Sequence, residues 1–161
     1  MELAVTQAGA NEAYGAAMDE AVDEVFRLMM GVNCEAMEDS PIDEPETISA
    51  VIGLAGAMSG TCVLRSGEGT AARMAAALTG IELTSLDDTV KDAVGEICNM
   101  VAGAWKGKLP ALASGCMLST PTVVTGTSYQ LHTQRPAFRV EHYYSFDGHN
   151  FSVTLICESI Q

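Results

Sequence analysis

The sequence predicts an α+β fold, in which helices pack on a mostly antiparallel sheet. Its hydrophobic pattern gives, in chain order, one helix, two strands, two helices and then strands to the end. The clearest strand pairs are joined by short glycine-containing turns, which favour antiparallel pairing over a parallel sheet with crossover helices. At 161 residues the chain is long enough to bury one hydrophobic core, so we expect a single domain over residues 1–161.

The first predicted helix runs from Tyr14 to Met30, after a small-residue segment at 1–12 that we expect to be a flexible lead-in. One side of this helix is apolar at helical spacing, and its expected core-facing residues are Ala17, Ala21, Val25, Leu28 and Met29. Gly31 is expected to end the helix, because glycine readily takes the left-handed conformation found at helix ends.

Two strand-like runs at 47–54 and 61–65 follow an acidic, proline-containing loop, and the GAMSG segment between them suits a hairpin turn. Ser66 is expected to cap the Ala-rich helix that comes next, and Gly80 to end it. Residues 67–72 also fit a relaxed dinucleotide-binding pattern, G-x-G-x-x-A. Since no repeated βαβ units surround the pattern, we interpret these glycines as a tight turn and helix start.

The second half of the chain begins with a long helical pattern from about Asp87 to Lys106, with Ser85 or Asp87 as its N-cap. After Pro110 we predict strands and loops. ALASGCML and PTVVTG are short strand candidates, and FRVEHYYSF and FSVTLICES form a hairpin around the Asp147-Gly148 turn.

Charge and composition exclude several classes of partner. The formal net charge of -13 argues against nucleic acids and against anionic membrane surfaces. The five cysteines form no C-x-x-C pair and have no histidine at zinc-ligand spacing, so we expect reduced thiols and no metal site in this chain. The N-terminus lacks a signal-peptide pattern, and no apolar run is long enough to span a bilayer. We therefore expect a cytoplasmic protein.

The candidate site lies on the helix that begins near Asp87. The side expected to face the core carries Val90, Val94, Ile97, Val101 and Trp105. A narrow stripe opposite it consists of Asp92, Glu96, Asn99 and Gly103, with Gly95 on its flank. Such a stripe is usually just solvated, but Asn and Gly weaken a helix interior, and a solvated face is more naturally filled with Glu, Lys, Gln or Ala. We therefore predict a docking face on which the glycines leave room for another macromolecule.

The pattern Asp92-x3-Glu96-x2-Asn99, followed at a distance by Pro121, resembles the signature of the CheC/CheX/FliY class of chemotaxis phosphatases. The element order over about residues 10–160 is also similar to that of its CheX-like members. The resemblance implies a CheC/CheX-like fold and a phosphatase that hydrolyses the aspartyl phosphate of a CheY-like receiver domain, ending a chemotaxis or other two-component signal. The alternative is a non-catalytic adaptor, since the same fold family includes flagellar switch proteins. The presence of both Glu96 and Asn99 favours catalysis.

The resemblance also implies roles for individual residues. Asn99 would orient the attacking water, because an amide carbonyl accepts from water while its NH2 donates to a phosphoryl oxygen. Glu96, one turn away, would pair with the receiver's active-site lysine, and Asp92 would extend that contact. Mg2+ would belong to the receiver, so no cofactor is expected in this chain. CheX-like proteins form homodimers by joining sheet edges, and the FRVEHYYSF/FSVTLICES hairpin is the expected edge.

A match between two helices indicates that the domain is internally duplicated. EVFRLMMG, which starts at Glu24, aligns without gaps on EICNMVAG, which starts at Glu96, and strand-like sequence follows each copy. Arg27 then corresponds to Asn99. Because a guanidinium has no acceptor that could orient a water, we predict one catalytic site per chain, on the second of these helices.

Overall fold

The structure, a computed structural model, describes residues 2–38, 42, 44–127, 129, 132 and 136–160. Its helices are α1 (Glu2–Val25), which continues into a π-helical turn (Phe26–Met30), then α2 (Glu68–Thr79), α3 (Asp88–Gly107) and α4 (Pro110–Ala113). Its strands are β1 (Glu35–Met37), β2 (Thr47–Gly56), β3 (Met58–Gly67), β4 (Cys116–Leu118), β5 (Thr122–Gly126), β6 (Phe138–Phe146) and β7 (His149–Ile160).

The strands form one sheet in the order β1-β6-β7-β3-β2-β4, and β5 pairs with the same edge of β2 as β4 does. Every strand pairing among the described residues is antiparallel. The order is symmetric about the central β3/β7 pair. Each half of the chain contributes one hairpin, β2–β3 or β6–β7. The short strand β1 follows α1 and pairs with β6 of the second hairpin, whereas β4 and β5 follow α3 and pair with β2 of the first. The predicted α+β fold is confirmed, and its symmetric strand order is the one expected of an internal duplication.

The three long helices pack on one face of this sheet, and the main hydrophobic core lies between them and the strands. Ala50, Leu64 and Val153 are neighbours across β2, β3 and β7, and all three are buried under the helices. Successive side chains of a strand point to opposite faces. Ser49, Arg65 and their neighbours therefore lie on the other side, which we call the outer face of the sheet.

The first helix differs from the prediction at both ends. It begins at Glu2 rather than Tyr14, so most of the segment expected to be a flexible lead-in is helical. The π-helical turn at its C-terminal end is wider than an α-helical turn and shifts the apolar register. Leu28 and Met29, which were predicted to face the core, are 64% and 55% exposed, whereas Phe26 and Met30 are buried. Gly31 ends the turn as predicted, with a φ of 68°.

Several local predictions are confirmed. The Asp87 side chain caps α3 by accepting a hydrogen bond from the Val90 N–H at 2.9 Å. The turn between β6 and β7 lies at Asp147-Gly148, and both residues have positive φ. The pattern ALASGCML, in contrast, begins inside the short helix α4 and only its end forms β4.

The predicted cap of α2 is wrong. Ser66 donates its hydroxyl hydrogen bond to the Gly67 carbonyl and does not cap the helix. Glu44 takes this place, because its carboxylate accepts a hydrogen bond from the Gly69 N–H at 2.8 Å. Gly67 and Gly69 are needed for this approach, since a Cβ on either would collide with the Glu44 side chain. The glycine pattern at 67–72 thus serves helix capping, as we interpreted it from the sequence.

Candidate functional site

The helix α3 is anchored along its apolar side and at both ends. All five of its predicted core residues are fully buried: Val90, Val94, Ile97, Val101 and Trp105. Near its C-terminal end, the Trp105 indole Nε1 donates to the Tyr14 carbonyl of α1 at 3.1 Å. The Lys106 Nζ donates to two backbone carbonyls of the α4–β4 segment, at 3.1 and 2.8 Å. Side chains on the opposite side of α3 are therefore presented by a rigid element.

The polar stripe occupies that opposite side. Asp92 and Glu96 are exposed, while Asn99 and Gly103 are half-buried. None of the three polar side chains of the stripe forms a hydrogen bond or an ion pair with the part of the chain that the structure describes. A carboxylate and an amide, one helical turn apart, are thus available to a second molecule.

Gly95 lies in a different environment from the one suggested by the sequence. It is buried, and a Cβ at this position would lie 3.3 Å from Cγ of Pro121 and 3.5 Å from Cγ2 of Val123. The space above Gly95 is therefore filled by this chain and not left for a partner. The reason is the pairing of β5 with β2, which places the start of β5 directly against α3.

The connection between β4 and β5 forms a wall beside the polar stripe. Gly95, Asn99 and Gly103 recur every four residues and share one row of α3. A Cβ on Gly103 would lie 4.0 Å from Leu118, at the end of β4, and Gly95 meets Pro121, just before β5. Asn99 is in the middle of this row, between the two positions at which the connection meets α3.

This wall is fixed to the neighbouring strand by two hydrogen bonds. The Gly53 N–H donates to the Ser119 Oγ at 2.8 Å, and the Ser119 N–H donates to the Gly53 carbonyl at 2.9 Å. Pro121, two residues later, is exposed beside the stripe. Sequence reasoning missed this wall as a structural feature, although the four-residue spacing of two glycines around Asn99 indicates a close approach of another segment.

A second polar cluster lies between α1 and β6. One carboxylate oxygen of Asp19 accepts a hydrogen bond from the Tyr144 hydroxyl at 2.7 Å and lies 2.7 Å from His142 Nδ1. Burial, together with the Asp19 carboxylate, raises the pKa of Tyr144. These side chains satisfy one another and join α1 to the sheet.

Two kinds of feature are absent from the described residues. They include no helix long and apolar enough to cross a membrane. They also include no group of three or more His, Cys, Asp or Glu side chains arranged to hold a metal ion.

Comparison with known proteins gives one family. The model of the family described as "Chemotaxis phosphatase CheX" matches residues 48–142, which is more than half of the chain and includes all of α3. The "CheY-P phosphatase CheX" of Thermotoga maritima is 29% identical over 115 residues, which cover 69% of this chain and 74% of that protein.

Solved structures share the fold. The chemotaxis protein CheX from Vibrio vulnificus is 24% identical with a TM-score of 0.76, and the match covers 90% of this chain and 96% of that one. A CheX-CheY-BeF3-Mg2+ complex from Borrelia burgdorferi matches with 20% identity and a TM-score of 0.74, over 91% of this chain and 98% of that one.

Proposed function

The chain belongs to the CheX family of chemotaxis phosphatases, and on that premise we propose that it hydrolyses the aspartyl phosphate of a CheY-like receiver domain. The observation that carries the proposal is the pair of polar side chains, Glu96 and Asn99, on an anchored helix and without a partner among the described residues. The name of the Thermotoga relative and the Borrelia complex of a CheX with a CheY support a receiver as the substrate.

The chemistry requires little more than a positioned water. An acyl phosphate is already reactive, and most of the acceleration comes from holding water in line with the scissile P–O bond. We assign this role to Asn99, whose amide carbonyl accepts from the water while its NH2 donates to a phosphoryl oxygen. Asn99 is half-buried, and a neighbouring β4–β5 connection that limits its rotamers would favour a defined water position.

We assign docking to the rest of the stripe. Glu96 would pair with the receiver's active-site lysine and fix the register of the two proteins, and Asp92, one turn earlier, would extend that contact. Gly103 would let the receiver approach α3 closely. Gly95 is covered, so Pro121 would meet the receiver in its place. The Mg2+ would be held by the receiver, and the reaction would take place in the cytoplasm, where the five free cysteines stay reduced.

We also propose a homodimer, which forms along a shorter segment of the sheet edge than the sequence predicted. The arm β7 is not an edge, because it lies between β6 and β3. The edge of β6 that faces away from β7 is paired with β1 only at Tyr143–Ser145, so residues 138–142 have no described strand on that side. Pairing of this segment with a second copy would continue the sheet. Sedimentation of a 16.9 kDa monomer at high concentration would contradict the dimer.

The proposed function is tested with a panel of phosphorylated receiver domains. Each receiver is labelled at its aspartate, and the release of phosphate is followed with and without this protein, with the Asn99→Ala variant as control. We expect at least one receiver to lose its phosphate faster with the wild-type protein and not with the variant. Receivers that bind tightly but lose phosphate at their own rate would indicate a non-catalytic adaptor instead.

A further inference from the structure

The outer face of the sheet contains a polar pocket of about 290 Å³, on the side opposite to α3 and its stripe. Its walls include Val63 and Ile156, which are buried but do not belong to the main core. Its polar lining includes Arg65, Ser152 and Thr154. The volume is just below the range of small-molecule sites, about 300–1,000 Å³.

Strand register places the polar groups of this pocket side by side. Arg65 of β3 is paired with Ser152 of β7 on one side and with Ser49 of β2 on the other. Thr154 is paired with Val63 one row away. Directly paired residues share a face of the sheet, so the guanidinium and the two β7 hydroxyls point into the same space. Ser152 and Thr154 are only 4% and 7% exposed, and neither hydroxyl has a hydrogen bond to the described residues.

Arg65 differs from the other arginines for which the structure describes contacts. Arg27, Arg73 and Arg139 each pair with a carboxylate. Arg65 has no ion pair with the described residues, although the chain contains 21 acidic residues. Its Nε is buried and has no hydrogen-bond partner among the residues that the structure describes. A buried charged donor without an acceptor is unfavourable and indicates a missing partner.

The guanidinium of Arg65 is also held in position. The ring of Tyr129 covers it, with 5.4 Å between the Arg65 Cζ and the ring centroid. Tyr129 is itself fixed, because its hydroxyl forms a 2.6 Å hydrogen bond with the Ser49 hydroxyl. A fixed guanidinium presents its N–H groups as a fork that matches a carboxylate or phosphate group.

The β6 side of the pocket, across β7 from Arg65, limits the charge of a ligand. Glu141 lies there, directly paired with Thr154 across the strands. It forms an ion pair at 2.9 Å with Arg139, which also lines the pocket, and it accepts a 2.7 Å hydrogen bond from the Tyr143 hydroxyl. Its carboxylate would repel a second anionic group on that side. The pocket therefore fits a molecule with an oxyanion at one end and a neutral or apolar part at the other.

We propose that this pocket binds a small organic anion whose carboxylate or phosphate group is held by Arg65, Ser152 and Thr154. The site is separate from the polar stripe of α3, and it does not depend on the phosphatase activity. The guanidinium supplies charge-assisted hydrogen bonds, and the two hydroxyls donate to the remaining oxygen lone pairs.

The test is an NMR titration of the full chain at constant ionic strength, with butyrate as the carboxylate probe and propyl phosphate as the phosphate probe. We expect the amide signals of Val63, Ser152 and Thr154 to move with at least one probe, and the tighter probe identifies the preferred group. Arg65→Gln should raise the dissociation constant by about tenfold or more, as loss of a charge-assisted hydrogen bond does. The matched control is Arg73→Gln, which removes an exposed arginine paired with Asp147 and should leave binding unchanged.

A second variant protects the test against misfolding. Tyr129→Phe keeps the ring over Arg65 but removes the hydrogen bond to Ser49, and it should weaken binding several-fold in a protein with the wild-type spectrum. No shift with either probe, or equal weakening by Arg65→Gln and Arg73→Gln, would overturn the proposal. A sedimentation coefficient of Arg65→Gln below that of the wild type, measured without any probe, would also overturn the proposal. It would show that Arg65 holds two copies together, and the pocket would then be filled by an acidic group of a second copy.

Discussion

The end of α1 and the middle of α3 correspond in the sequence alignment of the two halves of the chain, but they use their charged residues differently. Glu24 of α1 lies 2.5 Å from Lys108, which directly follows α3. The matching residue of α3, Glu96, has no partner among the described residues. The carboxylate of the first copy is used to join two helices of the same chain, whereas that of the second remains available.

The neighbouring positions show the same contrast. Arg27 of α1 pairs with Asp23 at 3.5 Å on its own helix surface. In α3 the matching residues are Asn99 and Gly95, and the glycine admits Pro121 where the first copy has a charged side chain. The outer surface of α1 is thus used for contacts within the chain, and we propose that the corresponding surface of α3 binds the receiver. The following predictions test this division, from the largest expected effect to the smallest.

The sharpest contrast is expected between Asn99→Ala and Arg27→Ala. Loss of the residue that positions water should slow receiver dephosphorylation by about 10²-fold or more. The matched change in α1 should leave the rate within about twofold, as surface changes away from a site usually do. The measurement is single-turnover loss of phosphate at saturating receiver, with thermal unfolding as the folding control. Unchanged turnover in Asn99→Ala would remove the residue from this role, and a large loss in Arg27→Ala would show that α1 also engages the receiver.

The two glutamates should differ in partner binding. Glu96→Ala should raise the receiver concentration needed for half-maximal rate by about tenfold, as loss of a charge-assisted contact does, and Glu96→Lys should nearly abolish engagement through like-charge repulsion. Glu24→Ala should leave dephosphorylation within about twofold of wild type. The variants are compared at low and moderate salt, because a charge contact weakens as salt increases. Equal activity of wild type and Glu96→Lys at every salt concentration would rule out the contact.

Exchanging the residue types at the aligned positions Gly95 of α3 and Asp23 of α1 tests the close packing at α3. In Gly95→Asp, a side chain is added where a Cβ alone would lie 3.3 Å from Pro121, and the overpacking should cost about 1–3 kcal/mol in the free energy of unfolding. The reverse change, Asp23→Gly, removes only an exposed ion pair and some helix propensity, and it should cost less, about 1 kcal/mol. Denaturant unfolding measures both. A Gly95→Asp protein as stable as wild type would mean that the β4–β5 connection moves away easily and is not a fixed wall.

The sequence predicted the parts of the fold that depend on neighbours along the chain. The buried side of α3, its Asp87 cap and the Asp147-Gly148 turn depend on helical spacing and local backbone geometry, and all three are as predicted. Several of the features it missed depend on distant residues. The strand β1 exists through its pairing with β6, more than a hundred residues later, and Gly95 is covered because β5 pairs with β2. The roles of Glu96 and Asn99 stay predictions until a receiver is tested.

The smallest expected effect concerns the ion pair that Glu24 of α1 forms with Lys108. The hydrogen bond and the charge of Lys108 lower the pKa of Glu24 in the folded protein. A carboxyl group with a lowered pKa stabilises the folded state above the pKa of the unfolded chain, about 4.3, and this contribution is lost as the pH falls through the folded-state value. The melting temperature of the wild type should therefore lie slightly above that of Glu24→Gln at about pH 7, and the gap should narrow as the pH falls below the pKa of the unfolded chain. In a Lys108→Met background the same substitution should give a smaller pH-dependent gap, because only Arg27 then lowers the pKa of Glu24. A gap that stays constant from neutral to acidic pH would show that Glu24 does not stabilise through its charge, and the contrast with Glu96 would then rest on position alone.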